Sequence, residues 1–132
     1  MTERVIDASV LTFALAGKTS EARSLRARLN GTDCHAPHLI DAELGNVLRR
    51  RVRIGDITPF QAQTALHAAR DVIDVRYPHA GALADLAWGW RDNLTFYDAL
   101  YVALAVRLDI PLVTGDARLS QAPGLPCAVE LI

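Results

Sequence analysis

Apolar positions along the chain switch repeatedly between short extended runs and longer stretches of helical spacing. Residues 4–7 predict a short strand ending on Asp7, followed at once by helical turns over 8–15 that end near Gly17. Residues 20–30 place Ala22, Leu25 and Leu29 on one face and Arg23, Arg26 and Arg28 largely off it, a helix stopped by Asn30-Gly31. A brief strand is expected at 33–37. Residues 39–53 carry Ile40, Leu44, Val47 and Leu48 at i, i+4, i+7 and i+8, a stripe for the core that stops at Gly55-Asp56. Thr58-Pro59 supplies an N-cap with proline in the first helical position, and the helix over 60–73 runs into an extended piece at 74–77 closed by Pro78. Residues 79–91 put Leu83, Leu86, Ala87 and Trp90 on one face of a further helix. Thr95-x-x-Asp98 has the pattern of a capping box, and the helix it opens, to Leu108, is apolar nearly all round and therefore buried. Strands at 110–114 and 127–132 complete the chain, with Gly115-Asp116 as a turn.

Short strands alternating with helices imply parallel pairing through right-handed crossovers, hence an α/β fold. At 132 residues there is room for one domain spanning 1–132, with a central parallel sheet of about five strands flanked by helices. A content of 51% hydrophobic residues supplies its core. In open sheets of this kind ligands bind beyond the carboxyl ends of the strands, where the strand order reverses.

Composition narrows the chemistry. Fourteen Lys and Arg against fifteen Asp and Glu give a net charge of −1, so no global positive field draws in nucleic acid or a membrane surface. Cys34 and Cys127 are far apart and form no C-x-x-C pair, which removes support for a zinc or redox motif. Asp7 interrupts the apolar N-terminal stretch, and no apolar run approaches the roughly 18 residues needed to span a bilayer. A cytoplasmic location with no membrane contact is expected.

Acidic residues at strand ends are the candidates for function. Asp7 ends the first strand, Asp98 opens the buried helix and Asp116 follows the strand at 110–114. A fourth acid lies in the first turns after Pro37, and periodicity does not choose between Asp41 and Glu43: each stands roughly 75–85° from the centre of the apolar stripe. Each acid also has a local role open to it, as cap, turn residue or partner of a helix dipole. Together, four acids near one rim repel and raise one another's pKa unless a cation compensates. An oxygen-only set without Cys or His suits Mg²⁺ or Mn²⁺ rather than zinc.

Four segments covering essentially the whole chain now carry a resemblance: Val5-Ile6-Asp7-Ala8-Ser9; Ala36-Pro37-x5-Glu43 with Leu44 and Val47-Leu48; residues 94–105 (LTFYDALYVALA); and residues 112–119 (LVTGDARL). The last two are the specific ones. The chain resembles the PIN domain, in particular the small stand-alone bacterial toxins of VapC type. Gly115 occupies the variable position of the T-x-D motif, and Ser9 stands where the family accepts Ser or Asn. The resemblance implies a PIN-like α/β domain and a metal-dependent endoribonuclease, with Asp7, Glu43, Asp98 and Asp116 as the acidic quartet, and it favours Glu43 over Asp41. It implies Asp7, Asp98 and Asp116 as ligands of Mg²⁺ or Mn²⁺, one or two ions per site, with Glu43 placing a water, and Ser9 and Thr114 orienting the carboxylates. Products with a 5′-phosphate and a 3′-hydroxyl are expected. It further implies a transfer- or ribosomal-RNA substrate, a VapB-type antitoxin whose C-terminal segment occludes the acids, and a homodimer.

The run Arg49, Arg50, Arg51 and Arg53 is the densest positive patch and a candidate for contact with an RNA backbone, against the alternative of a solvated helix face. Phe96, Tyr97 and Tyr101 fall in the buried helix and are read as core. Trp88, off the apolar stripe, is expected at the surface or the core edge. His35 and His38 flank Pro37 without further nitrogen or sulfur ligands, which gives no metal site. No G-x-G-x-x-G or G-x-x-x-x-G-K-[ST] occurs, and a phospho-acceptor receiver would need an acidic pair at the first strand and a basic residue from the last. The remaining competitor is a PIN-like scaffold that binds RNA or protein without cutting.

Overall fold

The computed structural model describes residues 2–132. Five strands form one sheet: β1 (Thr2–Ile6), β2 (Thr32–Pro37), β3 (Val75–Tyr77), β4 (Leu112–Thr114) and β5 (Val129–Leu131). Their order is β3-β2-β1-β4-β5, with every neighbouring pair parallel. From β1 the chain steps outward through β2 to β3, then returns to lay β4 on the other side of β1. The strand order therefore reverses between β1 and β4, and a crevice opens beyond their carboxyl ends. Val5 and Ile6 point to opposite faces of β1 and both are fully buried, as expected of a parallel sheet covered on both sides.

Among the described residues seven helices fill the crossovers: α1 (Ala8–Ala16), α2 (Ser20–Asn30), α3 (Leu39–Arg53), α4 (Pro59–Val72), α5 (Ala82–Trp88), α6 (Phe96–Leu108) and α7 (Ala117–Ser120). α1 packs with α2, α3 and α4, whereas α6 lies on β1, β2 and β4 under α5. The all-apolar middle of α6 explains its depth, for Ala99 to Ala105 are buried without interruption. Thr58 and Gln61 close a reciprocal capping box at α4. None of the helices is long and apolar enough to cross a membrane.

The structure corrects four expectations. The helix expected over 79–91 is only Ala82–Trp88, because Gly81 adopts φ +80 at its start and Gly89 closes it, which leaves Trp90 packed beyond the helix end. The last strand is half its expected length, and Cys127 is only half-buried. Val47, expected in the core stripe, is half-buried and turns toward a cavity. Phe96 and Tyr97, expected in the core, are exposed, because they stand in the first turn of α6, before its buried stretch begins.

Gly17, at the end of α1, is a glycine for reasons of space rather than dihedral angle. Its φ is −70, but a Cβ there would stand 2.4 Å from the Phe13 carbonyl oxygen and 2.7 Å from the Ala22 Cβ. Gly17→Ala is expected to push α1 and α2 apart at a cost of about 1–3 kcal/mol. A urea midpoint that falls at unchanged m-value would report it, whereas an unmoved midpoint would mean that the turn relaxes freely.

Candidate active site

The end of β1 and the end of β4 are tied by two hydroxyls. Asp7 leaves β1 and caps α1, and it is only 6% exposed. Its Oδ1 accepts hydrogen bonds from the Ser9 hydroxyl (2.5 Å) and the Val10 N–H (3.1 Å), and its Oδ2 accepts one from the Thr114 hydroxyl (2.5 Å). Thr114, wholly buried, in turn accepts from the Asp116 N–H (3.0 Å), and the Ser9 hydroxyl accepts from the Gly115 N–H (2.9 Å). Burial pushes the Asp7 carboxyl above its ordinary value, and these hydrogen bonds offset only part of that rise.

The other acids approach from three further elements. Thr95 caps α6 by accepting from the Asp98 N–H (3.1 Å), which fixes the first turn that carries Asp98. The reciprocal half of the expected capping box is absent among the described bonds, so the Asp98 side chain is not spent on capping. Burial raises the Asp98 carboxyl, and the charges of Asp116 and Asp7 raise it further. Asp116 caps the short α7 by accepting from the Arg118 N–H (2.9 Å). Glu43 reaches in from α3, where its Oε1 accepts from the buried Tyr101 hydroxyl (2.6 Å). Burial, then the charges of Asp7 and Asp98, push Glu43 upward against that hydrogen bond. The two candidates for the fourth acid differ in their surroundings: Asp41 is locked in a two-pronged pair with Arg76 (2.6 and 2.9 Å), while Glu43 feels the charges of Asp7 and Asp98.

Three raised carboxyls fix a direction for pH dependence. Before a cation relieves them, these carboxyls ionise above the ordinary carboxylate range, and for Glu43 that displacement carries into the acid limb of chemistry that uses its ionised form. Tyr101→Phe removes the one donor that favours ionised Glu43, so it is expected to move that limb to still higher pH. Rate–pH profiles of the two proteins at one fixed metal concentration check this, and coincident limbs would detach Glu43 from the reaction.

A cavity of about 720 Å³ opens beside these acids and is walled by Ser9, Glu43, Gly115, Phe13, Val47 and Arg51 among others. Glu43, Val47 and Arg51 line it together because they recur at i, i+4 and i+8 on α3. Thr12 also lines it, and its buried hydroxyl has no hydrogen-bond partner.

The sequence profile described as "PIN domain" matches residues 4–125, nearly the whole chain. This chain belongs to the PIN-domain family. Ribonuclease VapC1 of Mycobacterium tuberculosis is 52% identical over 132 residues, covering 100% of this chain and 99% of that protein. Ribonuclease VapC3 of the same organism is 40% identical over 118 residues, covering 89% of this chain and 85% of its own. Among solved structures, VapBC2 from Rickettsia felis, bound to a promoter DNA fragment, aligns with a TM-score of 0.72 at 12% identity and 99% coverage of both chains, a likeness of fold.

Within this PIN domain the structure brings Asp7, Glu43, Asp98 and Asp116 to one edge, with Ser9 and Thr114 behind Asp7. Three of the four arginines share a face: Arg49, Arg50 and Arg53 are exposed within an arc of about 100° at the end of α3, while half-buried Arg51 turns to the cavity with Asp56 4.0 Å away. Two neighbours of the acids had no assigned role from sequence. Tyr101 is both core and partner of Glu43, and its i+3 spacing from Asp98 on α6 is the signal that places it. Arg118, on the unpredicted α7, holds its side chain 95% exposed and 3.7 Å from Asp116.

The donor set fits a hard divalent ion. It contains only oxygen, its charges raise one another, and a cation relieves both burial and repulsion. Among the described residues no group of three or more Asp, Glu, His or Cys side chains is already placed to hold a metal ion by itself. An ion such as Mg²⁺, which retains waters and takes substrate phosphate oxygens, suits so open an arrangement.

Proposed function

We propose that this protein is a Mg²⁺- or Mn²⁺-dependent endoribonuclease and the toxin of a toxin–antitoxin pair. The observation that carries the reading is the meeting of Asp7, Glu43, Asp98 and Asp116 at the β1/β4 reversal, with Asp7 held by two hydroxyls. Relatives named as ribonucleases at 52% and 40% identity support it. Asp7, Asp98 and Asp116 would hold the ion. When bound, it supplies charge for the phosphoryl oxygens of an in-line displacement and lowers the pKa of a bound water. Ser9 and Thr114 fix the orientation of the Asp7 carboxylate. Glu43, with a raised pKa and the Tyr101 hydroxyl on one oxygen, orients the attacking water and accepts its proton. The products are a 5′-phosphate and a 3′-hydroxyl, and the substrate is a transfer or ribosomal RNA in the cytoplasm.

The cavity beside the acids gives the antitoxin reading its physical support. Its apolar walls, the unpartnered Thr12 hydroxyl and the neighbouring acidic edge suit an extended segment of a VapB-type antitoxin, with apolar side chains and a basic residue over the acids. Pairing of two toxin copies completes the proposed assembly.

End-labelled total RNA incubated with the protein and Mg²⁺ or Mn²⁺, beside an EDTA control, tests the activity. Discrete new ends that vanish with EDTA are expected. Intact RNA from folded, antitoxin-free protein would favour the non-cleaving scaffold.

A further inference from the structure

The first turn of α6 contradicts the rest of that helix. From Ala99 to Ala105 every residue is buried, yet Phe96 and Tyr97, immediately before Asp98, are 40% and 60% exposed. Two aromatic rings left in water at the mouth of a core helix forfeit burial that the chain offers one turn later. Tyr97 also stands on the same rigid turn as Asp98, capped by Thr95, so its distance from the acids is fixed by helix geometry rather than by a loop.

Charge around this turn selects the kind of partner. Arg118 belongs to the acidic edge by its 3.7 Å approach to Asp116, and its charge acts on Asp98, yet its guanidinium is almost wholly in solvent. A planar fork of donors beside flat aromatic faces matches a single-stranded polynucleotide, with a phosphate for the fork and a base for the ring. Exposed Trp88 is less available, because the Arg91 guanidinium already covers its ring at 5.1 Å. Tyr97 is the open face.

We propose that Tyr97, with Phe96 beside it, stacks an unpaired RNA base next to the phosphodiester presented to the acids, and that Arg118 grips a flanking phosphate. The inference rests on the ribonuclease reading for its substrate class. It makes Tyr97 a positioning residue that sets which nucleotide lies at the cut, through stacking rather than base-edge hydrogen bonds. Single-stranded or splayed-out RNA is therefore the substrate form, since a paired base offers no free face.

The test separates binding from cleavage. A fluorescein-labelled, single-stranded RNA of mixed sequence is titrated in Mg²⁺ against the Asp7→Asn protein and against the same protein carrying Tyr97→Ala, Tyr97→Phe, Arg118→Ala or Phe60→Ala. Phe60 is a still more exposed aromatic at the start of α4. Tyr97→Ala is expected to weaken binding about tenfold, within the range for loss of one stacked base. Tyr97→Phe and Phe60→Ala are expected to bind as the parent does. Arg118→Ala is expected to reduce the slope of log affinity against log salt by about 0.7. In the Asp7 background, Tyr97→Ala is expected to raise KM about tenfold with a smaller change in kcat.

Equal affinity of Tyr97→Ala and parent would overturn the proposal. So would equal losses in the Ala and Phe variants, or a Tyr97→Ala change that alters oligomer size by light scattering and leaves RNA affinity alone. Absence of RNA binding by every variant would overturn it too. Wild-type protein that binds RNA through Tyr97 but cuts none would sink the ribonuclease reading and leave the platform standing, whereas cleavage indifferent to Tyr97 would do the reverse.

Discussion

Asp7→Asn is expected to abolish nearly all RNA cleavage while leaving a protein that unfolds at the same temperature or higher. Asn has the same shape and still accepts from Ser9 and Val10 through one oxygen, so the cap of α1 persists. What disappears is the charge that opposes the cation and the second oxygen that faces Thr114. Removing one contact to developing charge in such a site costs on the order of 10²–10³-fold, and loss of an ion ligand adds to it. Stability moves the other way because the folded-state pKa of Asp7 is raised by burial. For such a group the favourable contribution is complete below the unfolded value, near 3.8, and is lost as pH rises through the folded value. At neutral pH the ionised carboxyl therefore opposes folding, and Asn, which never ionises, removes that opposition. Cleavage assays beside thermal melts in EDTA measure both halves. Retained cleavage would refute the role of Asp7, and a collapsed melt would show that the charge supports the fold.

Thr114→Val is expected to damage both stability and activity, although it changes neither size nor burial. The Thr114 hydroxyl donates to Asp7 and accepts from the Asp116 N–H at a place with no solvent exposure. Deleting it leaves an acceptor and a donor unmatched where water does not reach, at about 1–3 kcal/mol. The carboxylate it orients loses its fixed direction, and loss of such supporting contacts lowers metal affinity or activity about 10–100-fold. Thr114→Ser keeps the hydroxyl and should recover most of the activity. Urea unfolding and cleavage rates on the three proteins decide the matter, and a fully active Val variant would show that Asp7 needs no such support.

Much of this architecture is legible in the chain because its signals are local. Residues 20–30 and 39–53 form helices with the expected bounds, since each carries its own apolar stripe and its own stop. Asp7 and Asp116 can be read as strand-end acids because parallel sheets place ligands there. The choice between Asp41 and Glu43 was not legible from spacing, because it depends on Arg76 reaching over from β3 and on Tyr101 reaching across from α6, contacts 35 and 58 positions distant. The arginine run is split by the helix turn: Arg49, Arg50 and Arg53 fall on one exposed side of α3 and Arg51 on the side of the cavity. Tyr97 misleads because an apolar helix hides the fact that its first turn projects beyond the core.

The two hydroxyl ties have a consequence for synthesis. Asp7 is synthesised well before its Thr114 partner, which lies 107 positions later. Ser9 likewise waits for Gly115, 106 positions on. Folding from the N-terminus assembles β1, β2 and β3 with their helices while the crevice still lacks one wall. The acidic edge of a nascent chain therefore stays incomplete until β4 seats beside β1, so a protein that cuts RNA would be harmless to the ribosome until that strand is made.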